Sequence, residues 1–330
     1  MKKIATVVLL VAALVMPLFA NGQGEAAASG AFTPSRDIDW IVTSKPGGGS
    51  DIYTQQIKDI MNRQGICDKT FLVNYVTDGG GEVGRLQVSR TAPVEKANHT
   101  LLTFNSGDLM PMCQNTDNRI ENFTPIAVMA VDKQLLFIGE HSKYKTFGEV
   151  IDAIKGGSQV VIAGSKGDDI ATYEALIAEL GFNENQLAYI TNDSTSGAIT
   201  SILGGHVDLC MSKPAAASQY VEAGKLVPVL ALSTTRFAGK LADAPTLSEV
   251  GNYKNVEVPV WRGVVGPKNM TPEAAKYWSN CLAQVSKTDS WNNDYIAKNG
   301  LISQFMNNEE AAKFMADFQA DYLKKIGKAK

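Results

Sequence analysis

Residues 38–61 read IDWIVTSKPGGGSDIYTQQIKDIM, and this stretch decides the fold. The apolar run 38–43 predicts a buried strand, and apolar side chains within 51–61, among them Ile57 and Ile60, recur at helical spacing. Consecutive glycines join the two segments. A strand that passes through glycines directly into a helix is typical of α/β units with parallel strands, so the stretch predicts an α/β fold.

Strand-like and helical patterns continue to alternate along the rest of the chain. Apolar runs that end at glycines or polar loops predict strands at 71–76, 101–104, 126–131, 134–138, 160–163, 187–191, 207–211 and 227–232. Helical spacing predicts helices at 83–87, 147–154, 170–180, 198–203 and 215–223, and a mostly helical tail from residue 272. Because the pattern restarts after 134–138, we expect two lobes, with the chain crossing between them more than once.

The N-terminus has the order of a secretory signal peptide. Lys2 and Lys3 precede an apolar run over 4–19, and the small residue Ala20 closes it. The run is shorter than the roughly 20 residues of a membrane-spanning helix. We expect cleavage after Ala20, leaving a flexible lead over 21–31 and, since no cysteine lies near the cut, no lipid anchor. A retained N-terminal anchor is the alternative.

Charge excludes one class of function. Without residues 1–20 the basic residues fall from 31 to 29 against 34 acidic ones, a formal charge near −5. No Lys/Arg-rich tract is present, so a nucleic-acid partner has no support. About 310 residues suffice for two lobes of ordinary domain size.

The four cysteines fit no metal-ligand spacing, so no metal site is expected. Cys67 and Cys113 lie in polar, loop-like sequence and form the candidate disulfide pair in an oxidising compartment. Two free thiols are the alternative. Cys210, within an apolar run, is predicted to be buried in a core.

No catalytic constellation is recognisable. The three histidines, His99, His141 and His206, belong to no nucleophile elbow or metal spacing and have no evident Ser or Cys partner. We therefore expect neither enzymatic activity nor a cofactor.

The glycine loop 46–51 is suited to an anion. The first turn of a helix has unsatisfied N–H groups and a partial positive charge, and glycines let the backbone approach a ligand. The loop has neither the Gly-Lys-Ser/Thr of a Walker loop nor GxGxxG, which favours a carboxylate over a nucleotide. The alternative is an ordinary strand–helix turn with Ser50 or Asp51 as the N-cap.

Two loops in the second half of the chain offer comparable helix starts. Residues 165–168 lead into the predicted helix 170–180, and residues 193–197 lead into 198–203. Facing the glycine loop across a cleft, they would hold the far end of a dicarboxylate. Lys166 would supply a counter-charge, unless it is an ordinary surface lysine.

Several motifs, in the same order, resemble the substrate-binding proteins of tripartite tricarboxylate transporters, the Bug family. Together they extend over nearly the whole mature chain. The matching residues are Pro46-Gly47-Gly48-Gly49-Ser50-Asp51, Asn74 with Gly79-Gly80-Gly81 and Gly84, Phe123-Thr124-Pro125-Ile126-Ala127, Leu203-Gly204-Gly205-His206-Val207-Asp208, Ala223-Gly224-Lys225-Leu226, Pro245-Thr246-Leu247-Ser248-Glu249-Val250-Gly251, and Trp261-x-Gly263 with Pro267.

The resemblance implies two lobes of the type-II periplasmic-binding-protein fold, each a mixed sheet flanked by helices, with the ligand cleft between them. We assign residues 32–133 and 253–330 to the first lobe and 134–252 to the second. The implied ligand contacts are Gly47, Gly48, Gly49, Ser50, Asp51, Gly80 and Gly81 in the first lobe, and Ser165, Lys166, Ser196 and Gly197 in the second.

The chain departs from the family pattern at the ligand loops. Tyr75 stands where the family usually has Arg, and 164–169 read GSKGDD in place of a Ser-Ser-Gly-x-Gly-Ser stretch. These departures place the family's usual ligands in doubt. Trp261 is expected in the core or hinge packing, with the cleft as the alternative.

The resemblance implies a periplasmic, monomeric receptor that captures a di- or tricarboxylate or a related acid for integral-membrane transporter subunits. Three alternatives stay open. The receptor would serve a two-component sensor instead, the chain would be an exported hydrolase with Ser50 or Ser165 as nucleophile, or it would be a structural surface protein.

Overall fold

The computed structural model describes residues 31–329. The predicted signal peptide and, apart from Ala31, the predicted lead lie outside the described residues. Within the described part the strands are β1 (Ile38–Val42), β2 (Phe71–Tyr75), β3 (Thr100–Asn105), β4 (Phe123–Asp132), β5 (Gln134–Gly139), β6 (Val160–Ser165), β7 (Leu187–Asn192), β8 (Leu209–Ser212), β9 (Leu226–Leu232), β10 (Val260–Pro267) and β11 (Ile302–Met306).

Helices follow most of these strands, as the alternating pattern predicts. They are α1 (Gly49–Arg63), α2 (Glu82–Ser89), α3 (Val94–Asn98), α4 (Ser106–Asn115), α5 (Phe147–Lys155), α6 (Asp168–Leu180), α7 (Thr195–Leu203), α8 (Pro214–Glu222), α9 (Leu247–Val250), α10 (Pro272–Val285), α11 (Asp289–Trp291) and α12 (Asn308–Lys325). Short 3₁₀ turns occur at Asp78–Gly81, Ile120–Asn122 and Gly239–Leu241, and a π-helical turn at Asn292–Ala297 extends α11.

The strands form two mixed sheets. The first sheet has the order β11-β4-β10-β3-β1-β2, with β1 parallel to β2 and β3 and with β10 antiparallel to β3 and β4. The second sheet has the order β7-β6-β8-β5-β9, with β6 parallel to β7 and β8 and with β5 antiparallel to β8 and β9. Two mixed sheets flanked by helices are the predicted architecture. The lobe boundaries stay a prediction.

The inner strands of each sheet are buried on both faces, which explains why they appear in the sequence as apolar runs. On β1, Trp40 packs into one core and Ile41 into another, because successive side chains point to opposite faces. On β5, Leu136 and Phe137 divide between two cores in the same way.

Two strands were missing from the sequence prediction. β10 lies in the interior of the first sheet. Its apolar run is interrupted by the charged Arg262 and by Gly263, and the strand ends at a proline. Gly263 has a packing reason, since a Cβ there would lie 2.6 Å from the carbonyl oxygen of Ala127 on β4. β11 is a short, partly exposed edge strand, within the tail that was predicted to be mostly helical.

The predicted Cys67–Cys113 disulfide is wrong. Both residues, like Cys210 and Cys281, are free and buried. Cys67 belongs to the core that contains Trp40, whereas Cys113 lies in α4 within the core that contains Ile41. The sequence around Cys113 was taken for a loop, but a capping box between Asn105 and Asp108 starts a helix there.

Candidate functional site

A cavity of about 50 Å³ is lined by residues from both sheets. The first sheet and its loops contribute Thr43, Ser44, Gly48, Gly49, Ser50, Asn105, Gly107, Asp108, Val260 and Arg262. The second sheet and its loops contribute Ser165, Lys166, Asp168, Asp193, Ser194, Thr195 and Lys213.

The topology of the sheets explains this grouping. The lining segments follow the carboxyl ends of β1 and β3 in the first sheet and of β6, β7 and β8 in the second. Parallel strands end at the same edge of a sheet, and ligands of open α/β sheets bind outside that edge. The antiparallel β10 reaches the same place with its first residues, Val260 and Arg262.

The glycine loop forms an uncapped helix start. The N-cap of α1 is Gly48, and no side chain within residues 31–329 caps the helix. The alternative with Ser50 or Asp51 as the N-cap is therefore wrong. Gly48, Gly49 and Ser50 line the cavity, and the hydroxyl of Ser50 accepts a hydrogen bond from the Asn105 amide at 3.0 Å.

Gly47 and Asp51 hold the shape of this loop and do not line the cavity. Gly47 has a positive φ of 77°, and its N–H donates to Oδ2 of Asp51 at 2.7 Å. The hydroxyl of Tyr75 donates to Oδ1 of the same carboxylate at 2.6 Å. Tyr75 thus supports the loop through Asp51.

The glycine turn Asp78–Gly81 packs behind the glycine loop 46–51. Its residues Gly80 and Gly81 do not line the cavity. A Cβ on Gly81 would lie 2.7 Å from Cβ of Thr43, so only glycine fits against the end of β1. A Cβ on Gly80 would lie 3.6 Å from Nζ of Lys166, so this turn borders the lysine side chain.

The second-sheet residues divide in the same way. Ser165 and Lys166 line the cavity. Ser196 and Gly197 do not: the Ser196 hydroxyl donates to the Pro46 carbonyl at 3.0 Å, and the Gly197 N–H donates to the Ser194 hydroxyl at 3.2 Å. The neighbouring Ser194 and Thr195 line the cavity instead.

Loops from the two sheets touch around the cavity. Besides the contact of Ser196 with Pro46, Nζ of Lys45 lies 2.8 Å from Oδ2 of Asp193. A Cβ on Gly167 would lie 2.6 Å from Cα of Gly107, so these two backbones are in direct contact. In this structure the cleft is therefore closed by contacts between the loops.

Lys166 is the unpaired cation of the cavity. Its Nζ is buried and makes no hydrogen bond within residues 31–329. Burial lowers the pKa of the ammonium, with Arg85 and Lys45 acting in the same direction and Asp108 and Asp193 opposing. The other cations of the cavity lining are paired: Lys213 with Asp168 and Asp169, and Arg262 with Asp132.

The ionised form of Asp168 is destabilised by its surroundings. Burial, together with the neighbouring Asp169, raises the pKa of its carboxyl to about 6, although Lys213 opposes the shift. The distance from Asp168 Oδ2 to the Lys213 ammonium is 2.6 Å. One ammonium shared by two carboxylates neutralises only one of them.

Sequence reasoning missed the charged residues Arg262, Lys213 and Asp108 of this cavity. A signal was present for two of them, because Lys213 directly follows an apolar strand and Arg262 interrupts one. Trp261, in contrast, is buried as predicted, with its ring 5.6 Å from that of Phe318 and 5.8 Å from that of Phe314 on α12.

Within residues 31–329 no group of three or more His, Cys, Asp or Glu side chains is placed to hold a metal ion. No helix of this part of the chain combines the length and the apolar character needed to cross a membrane.

Comparison with known proteins gives a consistent result. Residues 41–329 match the family described as tripartite tricarboxylate transporter family receptor. The UPF0065 protein in the tcbD-tcbE intergenic region of Pseudomonas sp. strain P51 is 25% identical over 248 residues, which are 73% of this chain and 70% of that protein.

Solved structures show the same fold. MatC (Rpa3494) from Rhodopseudomonas palustris with bound malate superposes with a TM-score of 0.75 at 17% identity, covering 88% of this chain and 98% of that one. R. palustris Rpa4515 with adipate gives a TM-score of 0.75 at 17% identity, with coverages of 89% and 98%.

Proposed function

The chain belongs to the tripartite tricarboxylate transporter receptor family, and from that premise we propose that its cleft captures a small organic carboxylate for integral-membrane transporter subunits. The protein is a solute-binding receptor of this family. The identity of the acid, the export of the chain to the periplasm through its N-terminal signal peptide, and its action as a monomer are parts of the proposal.

The observation that carries the proposal is the unpaired ammonium of Lys166. A buried cation without a partner is unfavourable, because it has lost water and gained no compensating charge. An anion that enters the cavity restores that compensation. A carboxylate is therefore stabilised in the cleft more strongly than a neutral solute of the same size.

The start of α1 contributes a second favourable term. Gly49 and Ser50 of its first turn line the cavity, and no side chain within residues 31–329 caps the helix. Such helix starts carry a partial positive charge that favours anions. Malate and adipate, bound by two relatives of the same fold, are both dicarboxylates, which supports the same ligand class for this chain.

We propose that ligand binding favours the closed form of the cleft. A ligand that contacts loops of both sheets binds the closed form better than the open form, and so shifts the population toward closure. We propose that the membrane subunits recognise this closed form.

Catalysis is not part of the proposal. The hydroxyl of Ser165 donates to Asp169 at 2.7 Å, and Ser50 accepts from Asn105, so both candidate nucleophiles have ordinary hydrogen-bond partners. No histidine lines the cavity within the described residues to act as their base.

The test is binding calorimetry with purified mature protein and a panel of acids: malate, succinate, adipate, citrate, benzoate and aspartate. We expect at least one acid to bind, and Lys166→Met to weaken it by about tenfold or more because a charge-assisted contact is lost. Lys276→Met, on the exposed face of α10, is the matched control and should leave the affinity unchanged. Absence of binding by every acid, or full affinity in Lys166→Met, would contradict the proposal.

A further inference from the structure

Asp168, the first residue of α6, has one carboxylate oxygen bonded and the other open. It is 3% exposed and lines the cavity. Its Oδ2 accepts from the Gln134 amide at 2.9 Å and from the Lys213 ammonium at 2.6 Å. Oδ1 accepts no hydrogen bond from residues 31–329 and lies against Gly107, where an added Cβ would be 2.1 Å away.

The neighbouring Asp169 has no such opening. Its Oδ2 accepts from the backbone N–H and the hydroxyl of Ser165, both at 2.7 Å. Its Oδ1 accepts from Gln134 at 2.7 Å and from Lys213. Asp169 is therefore satisfied within the protein, and the incomplete acceptor of the pair is Asp168.

The charges around Asp168 do not favour a bare carboxylate beside it. Asp168 and Asp169, both on α6, share the ammonium of Lys213, which directly precedes α8. Arg262 of β10 faces Asp168 but donates to Asp132, and the facing residue of β5, Gln134, is neutral. Three carboxylates against two cations leave an excess negative charge, which a hydrogen-bond donor complements and a second anion does not.

We propose that Asp168 is a specificity-determining residue: it selects an acid that also carries a hydroxyl or amino group, with the carboxylate placed at Lys166 and the donor at Oδ1 of Asp168. The proposal rests on the carboxylate-binding function proposed above. Lys166 and Asp168 line the same small cavity, so one compact ligand contacts both. Both residues belong to the segment 164–169, which reads GSKGDD.

A buried acceptor that is built to receive a donor discriminates strongly against ligands that lack one. The analogue leaves the acceptor dehydrated and unpaired, whereas the donor-bearing acid forms a charge-assisted hydrogen bond. The discrimination also depends on pH. Because burial raises the pKa of Asp168 to about 6, at pH 5 the carboxyl is mostly protonated and becomes a donor itself, so a plain carboxylate is tolerated.

The experiment compares malate with succinate, which has the same length and no donor, by calorimetry at pH 8 and pH 5. We expect malate to bind at least tenfold more tightly than succinate at pH 8, and the ratio to shrink at pH 5. Aspartate distinguishes an amino donor from a hydroxyl donor. In Asp168→Asn, where Lys213 keeps Asp169 as its partner, the ratio should fall toward one at pH 8. Glu222→Gln, on the exposed side of α8, is the control that keeps the ratio.

Equal binding of succinate and of both donor-bearing acids at pH 8 would overturn the role of Asp168 and leave the carboxylate-binding function intact. Malate and succinate themselves take up protons near pH 5, so the two affinities are compared for the dianion of each acid. A dianion ratio that does not change between pH 8 and pH 5 in the unmodified protein would overturn the role of Asp168 as well, whether or not Asp168→Asn folds. Failure of every acid in the panel to bind would refute both proposals together.

Discussion

Arg262 and Asp132 are joined in a buried ion pair at the place where the chain passes between its two sheets. Nε of Arg262 donates to Oδ2 of Asp132 at 3.1 Å, and Nη2 donates to the same oxygen. Asp132 ends β4, directly before the crossing to β5, and Arg262 lies near the start of β10, directly after the return. The pair therefore ties together the two segments that any hinge motion has to bend.

The first prediction concerns the stability of this pair. Arg262→Met leaves the carboxylate of Asp132 buried without a counter-charge and should lower the free energy of unfolding by about 3–5 kcal/mol. The double variant Arg262→Met/Asp132→Leu should recover most of this loss, because no isolated charge remains. Urea denaturation of the three proteins measures the difference. A double variant no more stable than the single one would contradict the account.

The second prediction concerns the glycine at the start of α1. A Cβ on Gly49 would lie 2.6 Å from Nη2 of Arg262, so Gly49→Ala should displace the guanidinium and lower the free energy of unfolding by about 1–3 kcal/mol. The control is Gly148→Ala near the start of α5, where a Cβ meets nothing closer than 3.7 Å. This variant should be neutral or stabilised by up to about 1 kcal/mol. Equal stability changes in the two variants would rule out the contact as the cause.

The third prediction concerns the dependence of stability on pH. The folded-state pKa of Asp168, about 6, lies above the ordinary value of an aspartate, so the folded protein binds the proton more tightly than the unfolded chain does. The resulting stabilisation is complete below the ordinary pKa and is lost as the pH rises through about 6. Relative to Asp168→Asn, the unmodified protein should lose about 1–3 kcal/mol between pH 4 and pH 7. Thermal denaturation at intervals across this range measures it, and a constant difference would disprove the shift.

The fourth prediction concerns the Lys45–Asp193 contact between loops of the two sheets. Both side chains are more than half exposed, at 55% and 59%, so the pair is worth little in high salt. Asp193→Asn should speed dissociation of a bound acid about two- to fivefold at low ionic strength, and the effect should vanish at high ionic strength. Asp317→Asn, which breaks the Lys313–Asp317 pair within α12, is the control and should leave the rate unchanged. Stopped-flow measurements at two salt concentrations decide between these outcomes.

The fifth prediction concerns the thiols. All four cysteines are free and buried, and burial raises the pKa of Cys113 to about 11. A disulfide-exchange reagent should therefore react with them slowly in the native protein and fully after denaturation. The intact masses with and without reductant should agree. A mass lower by two hydrogens without reductant would show a disulfide.

Much of the fold could be predicted from the sequence, because hydrophobic periodicity and glycines determine secondary structure through residues that are close in the chain. The segments around β1, α1, β6 and α6 were predicted to within a few residues of their observed bounds. β10 was not predicted, because Arg262 interrupts its apolar run, and the burial of that charge depends on a partner 130 residues away in the chain.

The candidate site was readable only in part. Gly48, Gly49, Ser50, Ser165 and Lys166 line the cavity, and they follow strands that the sequence marks clearly. The predicted contacts Gly47, Gly80 and Gly81 instead pack in or against the first loop. The hydroxyl of Ser196, another predicted contact, donates to the Pro46 carbonyl of the opposite loop, because the two loops meet beside the cavity.

By itself the sequence determined the order of strands and helices, the glycine loop at the start of α1 and the family to which the chain belongs, because these depend on neighbouring residues. Only the tertiary structure decided which charges are neutralised. Lys213 pairs with both Asp168 and Asp169, Arg262 pairs with Asp132, and Lys166 has no partner within residues 31–329, because the energy of a buried charge depends on the groups that surround it in space.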